Sequence, residues 1–131
     1  ISSSRDLRSQ MRRVPMMETI FICSAYRGDI DSNIAKVKKY CRWAAMECGV
    51  KPIAPHLYFP QFLDDERESE RDLGIQMGLS LLKGCSQLWY FGDTVTMGMK
   101  HEIDEANRLG IPVRHIPETD IQYDRNGGMI L

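Results

Sequence analysis

The chain has 131 residues, 43% of them hydrophobic, and its 17 basic and 18 acidic side chains leave a formal net charge of −1. A chain of this length corresponds to one domain and can bury a sizeable core. The near-neutral charge argues against binding to a nucleic acid polymer or an anionic membrane surface. No apolar run approaches the ~20 residues of a membrane span, and the polar, basic N-terminus lacks a signal-peptide pattern. We therefore expect a cytoplasmic protein.

The start of the chain differs in composition from the rest. Residues 1–16 are polar, rich in Ser and Arg, and have no apolar period, so we expect a flexible N-terminal extension or a cloning remnant. A single domain is expected over residues 17–131. Its first predicted strand is Thr19–Ser24, because a β-branched and aromatic apolar run is typical of a strand buried on both faces.

The next predicted element is a helix that has Asp31 or Ser32 as its N-cap, runs to Cys48 and has Gly49 as its C-cap. Apolar residues recur along it at intervals of three and four, which predicts one buried stripe. The stripe consists of Ile34, Val37, Cys41, Ala44 and Cys48. A short second strand is predicted over Lys51–Pro55, with proline near each end.

Tyr58–Glu70 is an acidic and aromatic segment, and a loop of this length inside a compact domain is usually functional or mobile. A helix is predicted over Arg71–Lys83. Its inward side chains are expected to be Leu73, Met77, Leu81 and Leu82. Gly74 and Gly78 would let this helix approach another element closely, and the further apolar residues beside them predict a homodimer or a larger homo-oligomer.

The pattern ends with strands over Gln87–Phe91 and Ile111–Ile116 and a helix over Met97–Leu109. Alternating strands and helices predict a parallel sheet with right-handed crossovers. We expect a three-layer α/β fold, Rossmann- or flavodoxin-like, with four to five strands in the order 2-1-3-4. The topological switch between the first and third strands would bring residues 24–29 and 92–96 together across one crevice, where such folds bind ligands.

The cysteines and histidines do not have the spacing of a metal site. Cys41 and Cys48 are about 10 Å apart along one predicted helix, which is too far for a disulfide. We expect all four cysteines to be reduced, and we expect neither a metal nor a cofactor.

The polar turn after the first strand contains Ser24, Tyr26, Arg27 and Gly28 and precedes a helix N-terminus. Backbone N–H groups, the helix dipole and the guanidinium together suit a phosphate or a carboxylate. The turn has neither the G-x-G-x-x-G dinucleotide motif nor a P-loop. The alternative interpretation is a solvated arginine in an ordinary polar loop.

The turn after the third strand contains Asp93, Thr94, Thr96 and Gly98, and the helix that follows carries Glu102. A carboxylate near a helix N-terminus stays ionised more easily, and a positioned carboxylate can trap or stabilise the oxocarbenium-like centre of glycosyl transfer. A second group must protonate the leaving base. The candidates for that role are Asp72, Asp93 and Glu70. The alternative is a plain strand-turn-helix with a solvated glutamate.

These motifs in this order resemble the nucleoside 2-deoxyribosyltransferase superfamily, in particular its nucleotide N-glycosidases and small phage- and plasmid-borne relatives. The resemblance covers roughly Thr19 to Ile116. It is carried by Ser24-x-x-Arg27-Gly28, Arg71-Asp72-Leu73 and Gly98-x-x-x-Glu102.

The resemblance implies that Glu102 is the catalytic glutamate and that Asp72 contacts the base. It also implies a sugar- or phosphate-binding turn and a 5′-phosphate site, which would be formed by Ser24, Arg27, Gly28, Thr94 and Thr96. Members of this superfamily assemble as dimers or larger oligomers that complete each other's sites, so the resemblance also implies an oligomer.

The function expected from the sequence is hydrolysis or transfer at an N-glycosidic bond of a nucleoside 5′-monophosphate or a related ribosyl compound. Arg27 favours a phosphorylated substrate, and an NAD- or ADP-ribose-type substrate also breaks at a ribosyl C1′–N bond. Two other classes stay open, because one fold hosts unrelated functions. One is a non-catalytic nucleotide sensor, and the other is a protein that binds a partner through the aromatic residues Tyr58–Phe62.

Overall fold

The computed structural model of the protein describes residues 17–121. Its strands are Thr19–Cys23 (β1), Lys51–Ile53 (β2), Gln87–Phe91 (β3) and Val113–Ile116 (β4), and its helices are Ile30–Cys48 (α1), Glu68–Leu82 (α2) and Met97–Leu109 (α3). Single 3-10 turns occupy Pro55–Leu57, Phe59–Gln61 and Glu118–Asp120. The expected N-terminal extension, residues 1–16, and the last residues of the expected domain, 122–131, lie outside the described residues. Between residues 17 and 121 no helix is long and apolar enough to cross a bilayer.

The sheet is parallel, with the strand order β2-β1-β3-β4, which confirms the predicted fold class and order. Phe21 pairs with Leu88 across the two central strands. The chain reverses its direction of winding between β1 and β3, so their carboxyl ends define the crevice that such sheets use for ligands.

The face of the sheet under α1 is packed with aromatic rings. Tyr40 stacks on Phe91 with ring centroids 4.4 Å apart, and Trp43 meets Trp89 at 6.0 Å. The predicted stripe of α1 is therefore partly wrong: Val37 and Ala44 are buried, whereas Cys48 is exposed and Ile34 and Cys41 are only half-buried. The large rings reach the sheet and fill the space that the smaller side chains were expected to occupy.

The opposite face is covered by α2 and α3. Phe21, Cys23 and Leu88 of the sheet pack there against Leu82, Met99 and Ala106 of the helices. The expected inward face of α2 is wrong for two residues, since Leu73 is 50% exposed and Leu81 is 41% exposed. The reason is that α2 is rotated so that its glycine face lies inward: a Cβ added at Gly78 would meet the ring of Pro55 at 3.5 Å.

The helix ends fix the two turns of the crevice. Asp29 caps α1, because its carboxylate accepts a hydrogen bond from Ser32 N at 3.2 Å. The expectation that Asp31 or Ser32 is the N-cap is therefore wrong. Thr96 caps α3, because its Oγ1 accepts a hydrogen bond from Met99 N at 3.2 Å. Gly110 ends α3 in the left-handed conformation, with φ of 76°, which a residue with a Cβ adopts only at a cost. Both N-caps lie beyond the carboxyl ends of β1 and β3.

Candidate active site

A cavity of about 310 Å³ lies between the β1 turn, α2, the start of α3 and the β2–α2 segment, which we define as residues 54–67. One part of its lining is apolar and comprises Pro55, Phe59, Leu63, Ile75, Leu79 and Met97. The other part is polar and comprises Ser24, Tyr26, His56, Thr96 and Glu102, with the charged side chains of Arg27, Asp65, Glu70 and Arg71. The cavity thus combines an apolar wall with converging polar groups, which is the usual character of a small-molecule site.

Glu102 is directed into this cavity by the packing of α3. Met99 and Ala106, three residues before it and four after it, are buried against the sheet, so Glu102 lies on the same face of the helix. Its Oε1 atom is buried and has no hydrogen-bond partner. Burial raises the pKa of Glu102 from 4.5 to about 7, and a hydrogen bond from the Cys23 thiol acts in the opposite direction with less effect. The expectation that the helix N-terminus keeps this carboxylate readily ionised is therefore wrong, because burial disfavours the ionised form.

Cys23, the last residue of β1, lies near Glu102. Its Sγ donates to the backbone oxygen of Met99 at 3.7 Å, and burial raises the pKa of the thiol far above its usual range. A thiol that stays protonated is a weak donor and a poor nucleophile. The protonated Cys23 thiol is therefore a poor candidate for the reacting group. All four cysteines of the chain are free.

Ser24 provides a second buried polar atom without a partner. The residue is 4% exposed, and its Oγ, like Glu102 Oε1, makes no hydrogen bond. A buried donor or acceptor that is left unpaired costs about 1–3 kcal/mol. Both residues line the same cavity, and an unpaired buried polar atom in a folded protein calls for an explanation such as a functional role or a bound water.

His56 is a site residue that the sequence analysis missed. Its Nε2–H donates to the backbone oxygen of Ser24 at 3.1 Å, and its ring stacks on Tyr26 with centroids 5.0 Å apart. Burial lowers the pKa of His56, and the nearby Ser24 carbonyl and Asp65 oppose that shift. A neutral imidazole that donates through Nε2 keeps Nδ1 as an acceptor. The signal that could have found His56 is its position directly after β2, at the same edge of the sheet as the β1 turn.

Arg27 is paired across the cavity. Its Nε lies 3.2 Å from Asp65 Oδ2, which ties the β1 turn to the β2–α2 segment. Asp65 was also missed by sequence reasoning, because nothing in the acidic run of residues 64–70 distinguishes it from its neighbours.

The structure brings most of the predicted site residues together and separates others. Lining the 310 Å³ cavity are Ser24, Tyr26, Arg27, Thr96, Gly98 and Glu102. Asp93 and Thr94 instead line a second cavity of about 360 Å³ on the α1 side, together with Asn33 and Lys36. The single crevice that was predicted is thus two cavities that share Ser24, and Gly28 lines neither of them.

Asp72 is exposed on α2 and lines neither of these cavities, although Glu70 and Arg71 line the first one. The reason is geometric, because the face of α2 toward the cavity carries residues 71, 74, 75 and 78, and the next residue after Arg71 points about 100° away. Among residues 17–121 no group of three or more His, Cys, Asp or Glu side chains is placed to hold a metal ion.

The α/β fold is similar to that of a solved enzyme. A solved 2-deoxyribosyltransferase of the psychrotolerant bacterium Bacillus psychrosaccharolyticus superposes with a TM-score of 0.61 over 76% of this chain and 72% of that chain, at 17% sequence identity. The protein belongs to the family described as a domain of unknown function (DUF7768), whose model matches residues 18–116. No curated protein matches the chain in sequence.

The raised pKa of Glu102 leads to a prediction for stability. Between about pH 4.5 and pH 7 the folded protein holds a proton that the unfolded chain releases, so folding stability falls as the pH rises through that window. Glu102→Gln cannot ionise. We expect this variant to be more stable than the wild type at pH 8 by up to about 3 kcal/mol and nearly equal to it at pH 4.

Urea unfolding at both pH values measures this difference. Glu47→Gln, at an exposed position of α1, is the control and should change stability little at either pH. Equal stabilities of wild type and Glu102→Gln at pH 8 would contradict the burial of an ionisable carboxylate.

Proposed function

We propose that this protein cleaves the N-glycosidic bond of a nucleoside or nucleoside 5′-monophosphate, by hydrolysis or by transfer of the sugar, with Glu102 as the reacting carboxylate. The observation that carries the proposal is the buried carboxylate of Glu102, a residue that lines the same cavity as Ser24 and whose Oε1 has no hydrogen-bond partner. A fold shared with a 2-deoxyribosyltransferase supports the assignment as an analogy.

The proposed reaction breaks the C1′–N bond, whose electron pair leaves with the base. Positive charge develops at C1′, and ionised Glu102 stabilises it or forms a C1′–O bond. Water, or a second base, then attacks C1′ and releases the carboxylate. Because this role needs the ionised form, the rate should rise with pH through about 7, where Glu102 titrates.

The leaving base must gain a proton. Asp72 remains the residue proposed to contact the base, on the strength of the sequence motif. Glu70 is the second candidate, because it lines the cavity whereas Asp72 is exposed.

The shape of the cavity favours a substrate of nucleoside size. Its volume of about 310 Å³ lies at the lower end of the range of about 300–1,000 Å³ seen for small-molecule sites. The apolar wall formed by Phe59, Leu63 and Leu79 suits the faces of a nucleobase. The polar side with Ser24 and Glu102 suits the sugar. A dinucleotide such as NAD would extend well beyond it, so we favour the smaller substrate.

The test is a panel of ribo- and deoxynucleosides and their 5′-monophosphates, with chromatography to detect released base. Glu102→Gln keeps the shape of the side chain and removes its charge. We expect turnover to fall by at least ~100-fold, about 2.7 kcal/mol of barrier, with little change in substrate affinity, because only the transition state carries the cation.

The matched control for that experiment is Asp104→Asn, a substitution of the same kind at an exposed position of the same helix. It should keep activity within about twofold. If Glu102→Gln retains activity within a few-fold of wild type, the glycosyl-transfer assignment fails. Binding of nucleotides without release of base would instead support a nucleotide sensor.

Arg27 is proposed to bind the substrate phosphate. Arg27→Ala should weaken binding of a nucleoside monophosphate by roughly 1.5–3 kcal/mol, the scale of a charge-assisted hydrogen bond. The unphosphorylated nucleoside should bind almost as before. Calorimetric titration of both ligands measures the difference, and an equal loss for both would mean that Arg27 only supports the turn.

We also propose that the protein is a homodimer. Leu73, Ile75 and Leu81 of α2 and Met97 of α3 are exposed apolar side chains. Covering such a patch with a second copy removes apolar area from water. Light scattering at micromolar concentration should give twice the 15.1 kDa of one chain. Ile75→Glu should shift the mass toward the monomer, whereas a wild-type mass of one chain would exclude the dimer.

A further inference from the structure

Arg27, the cation proposed to bind a substrate phosphate, is already paired with Asp65. Both residues line the cavity, and Arg27 Nε lies 3.2 Å from Asp65 Oδ2. The Asp65 side chain is 25% exposed and that of Arg27 is 61% exposed, so the carboxylate is the more enclosed partner. A phosphate that binds to Arg27 therefore has to share the guanidinium with Asp65 or displace it.

The charges that line the cavity do not favour a dianion while this pair is closed. Three carboxylates face it, those of Asp65, Glu70 and Glu102, against the guanidinium groups of Arg27 and Arg71. Glu70 has a separate counter-charge, because Arg67 Nε lies 3.8 Å from its Oε2. Asp65 is thus the carboxylate that competes for Arg27.

Asp65 also acts on the aromatic groups beside Arg27. Burial first, and then the negative charge of Asp65, raise the pKa of Tyr26. The same charge opposes the lowering of the His56 pKa. The carboxylate of Asp65 is therefore close enough to influence the polar groups with which the cavity would contact a ligand.

We propose that Asp65 is a specificity-determining residue, which competes with a substrate phosphate for Arg27 and so shifts the preference of the site toward the unphosphorylated nucleoside. A nucleoside binds with the Arg27–Asp65 pair intact, whereas a 5′-monophosphate must open it. The identity of the ligand rests on the proposed function. The competition between Asp65 and a phosphate for Arg27 involves only binding of an anion, so it can be measured without turnover.

The experiment compares Asp65→Asn with the wild type by titration calorimetry at fixed ionic strength. The probes are inorganic phosphate, a deoxynucleoside and its 5′-monophosphate. A partly exposed ion pair is worth up to about 1 kcal/mol, or roughly fivefold in affinity. We expect Asp65→Asn to bind the monophosphate and inorganic phosphate about fivefold more tightly and the nucleoside within twofold of wild type.

The matched control is Asp64→Asn, which removes the same charge from the adjacent residue. Asp64 does not line the cavity and is paired with Arg67 instead. This variant should leave all three affinities unchanged. A gain in phosphate affinity as large as that of Asp65→Asn would show a general effect of net charge and would overturn the proposal.

A double-mutant cycle tests whether the effect of Asp65→Asn on phosphate affinity depends on Arg27. In the Arg27→Ala background, Asp65→Asn should change phosphate and monophosphate affinity by less than twofold. An unchanged ratio of monophosphate to nucleoside affinity in Asp65→Asn, or an equal gain with and without Arg27, overturns the proposal. Asp65→Ser serves as a second variant if Asp65→Asn lowers the melting temperature.

The outcome is distinguishable from a failure of the proposed function. Base release is scored separately by chromatography, and the titrations can be made in the Glu102→Gln background, where no turnover is expected. A protein that releases no base but shows the Arg27-dependent gain in phosphate affinity keeps this proposal and loses the glycosyl-transfer assignment. Absence of phosphate binding in every variant overturns this proposal and leaves that assignment to its own test.

Discussion

The cost of burying the carboxylate of Glu102 is the constraint on which the site depends. Desolvation raises its pKa to about 7, and the one side chain that acts against this shift is a weakly donating thiol. A strong donor such as an arginine beside Glu102 would have lowered the free-energy cost of the ionised form. A nucleophile that is fully satisfied by its own protein reacts poorly, so the absence of a good partner for Oε1 is consistent with a group that a substrate is meant to meet.

The sheet provides the rigidity that such an arrangement needs. Cys23 is the last residue of β1, which pairs with a strand on each side, and Ser24 follows it directly. Met99 and Ala106 of α3 pack on one face of the sheet. The opposite face is filled by the stacked Tyr40 and Phe91 rings. Because both faces are packed, the carboxyl ends of β1 and β3 cannot relax to pair the two polar atoms at the cavity, and the unpaired atoms persist.

The sequence was sufficient for the parts of the molecule that have a strong local signal. The predicted bounds of β3 and of the helix Met97–Leu109, and the predicted strand order, all agree with the structure. The face of α2 was wrong, because its apolar residues surround the helix and no single period selects one side. What decides its orientation is the β2–α2 segment, whose Pro55 and Leu63 lie against Gly78 and Gly74.

The residues that sequence reasoning missed come from that same segment, and the reason is physical. His56 and Asp65 belong to a stretch with short 3-10 turns and no period, so its path over the cavity is set by long-range contacts alone. Asp93 and Thr94 illustrate the converse, since they follow β3 as predicted but turn toward the α1 side. Topology could say that two turns meet beyond the sheet, but not that a third segment closes one side of the crevice.

The residues proposed to react and the residues proposed to select the substrate lie on different parts of the fold. The end of β1 and α3 position Ser24 and Glu102, which under the proposed function contact the sugar of the substrate. The β2–α2 segment supplies Phe59 and Leu63 to the apolar wall and Asp65 to the charge balance at Arg27. Loops tolerate change far better than buried strands, so substrate preference can be altered in that segment without disturbing the packing that raises the pKa of Glu102. The likeness at 17% identity concerns the fold alone, so the identity of a ligand has to be sought in this chain's own residues 54–67.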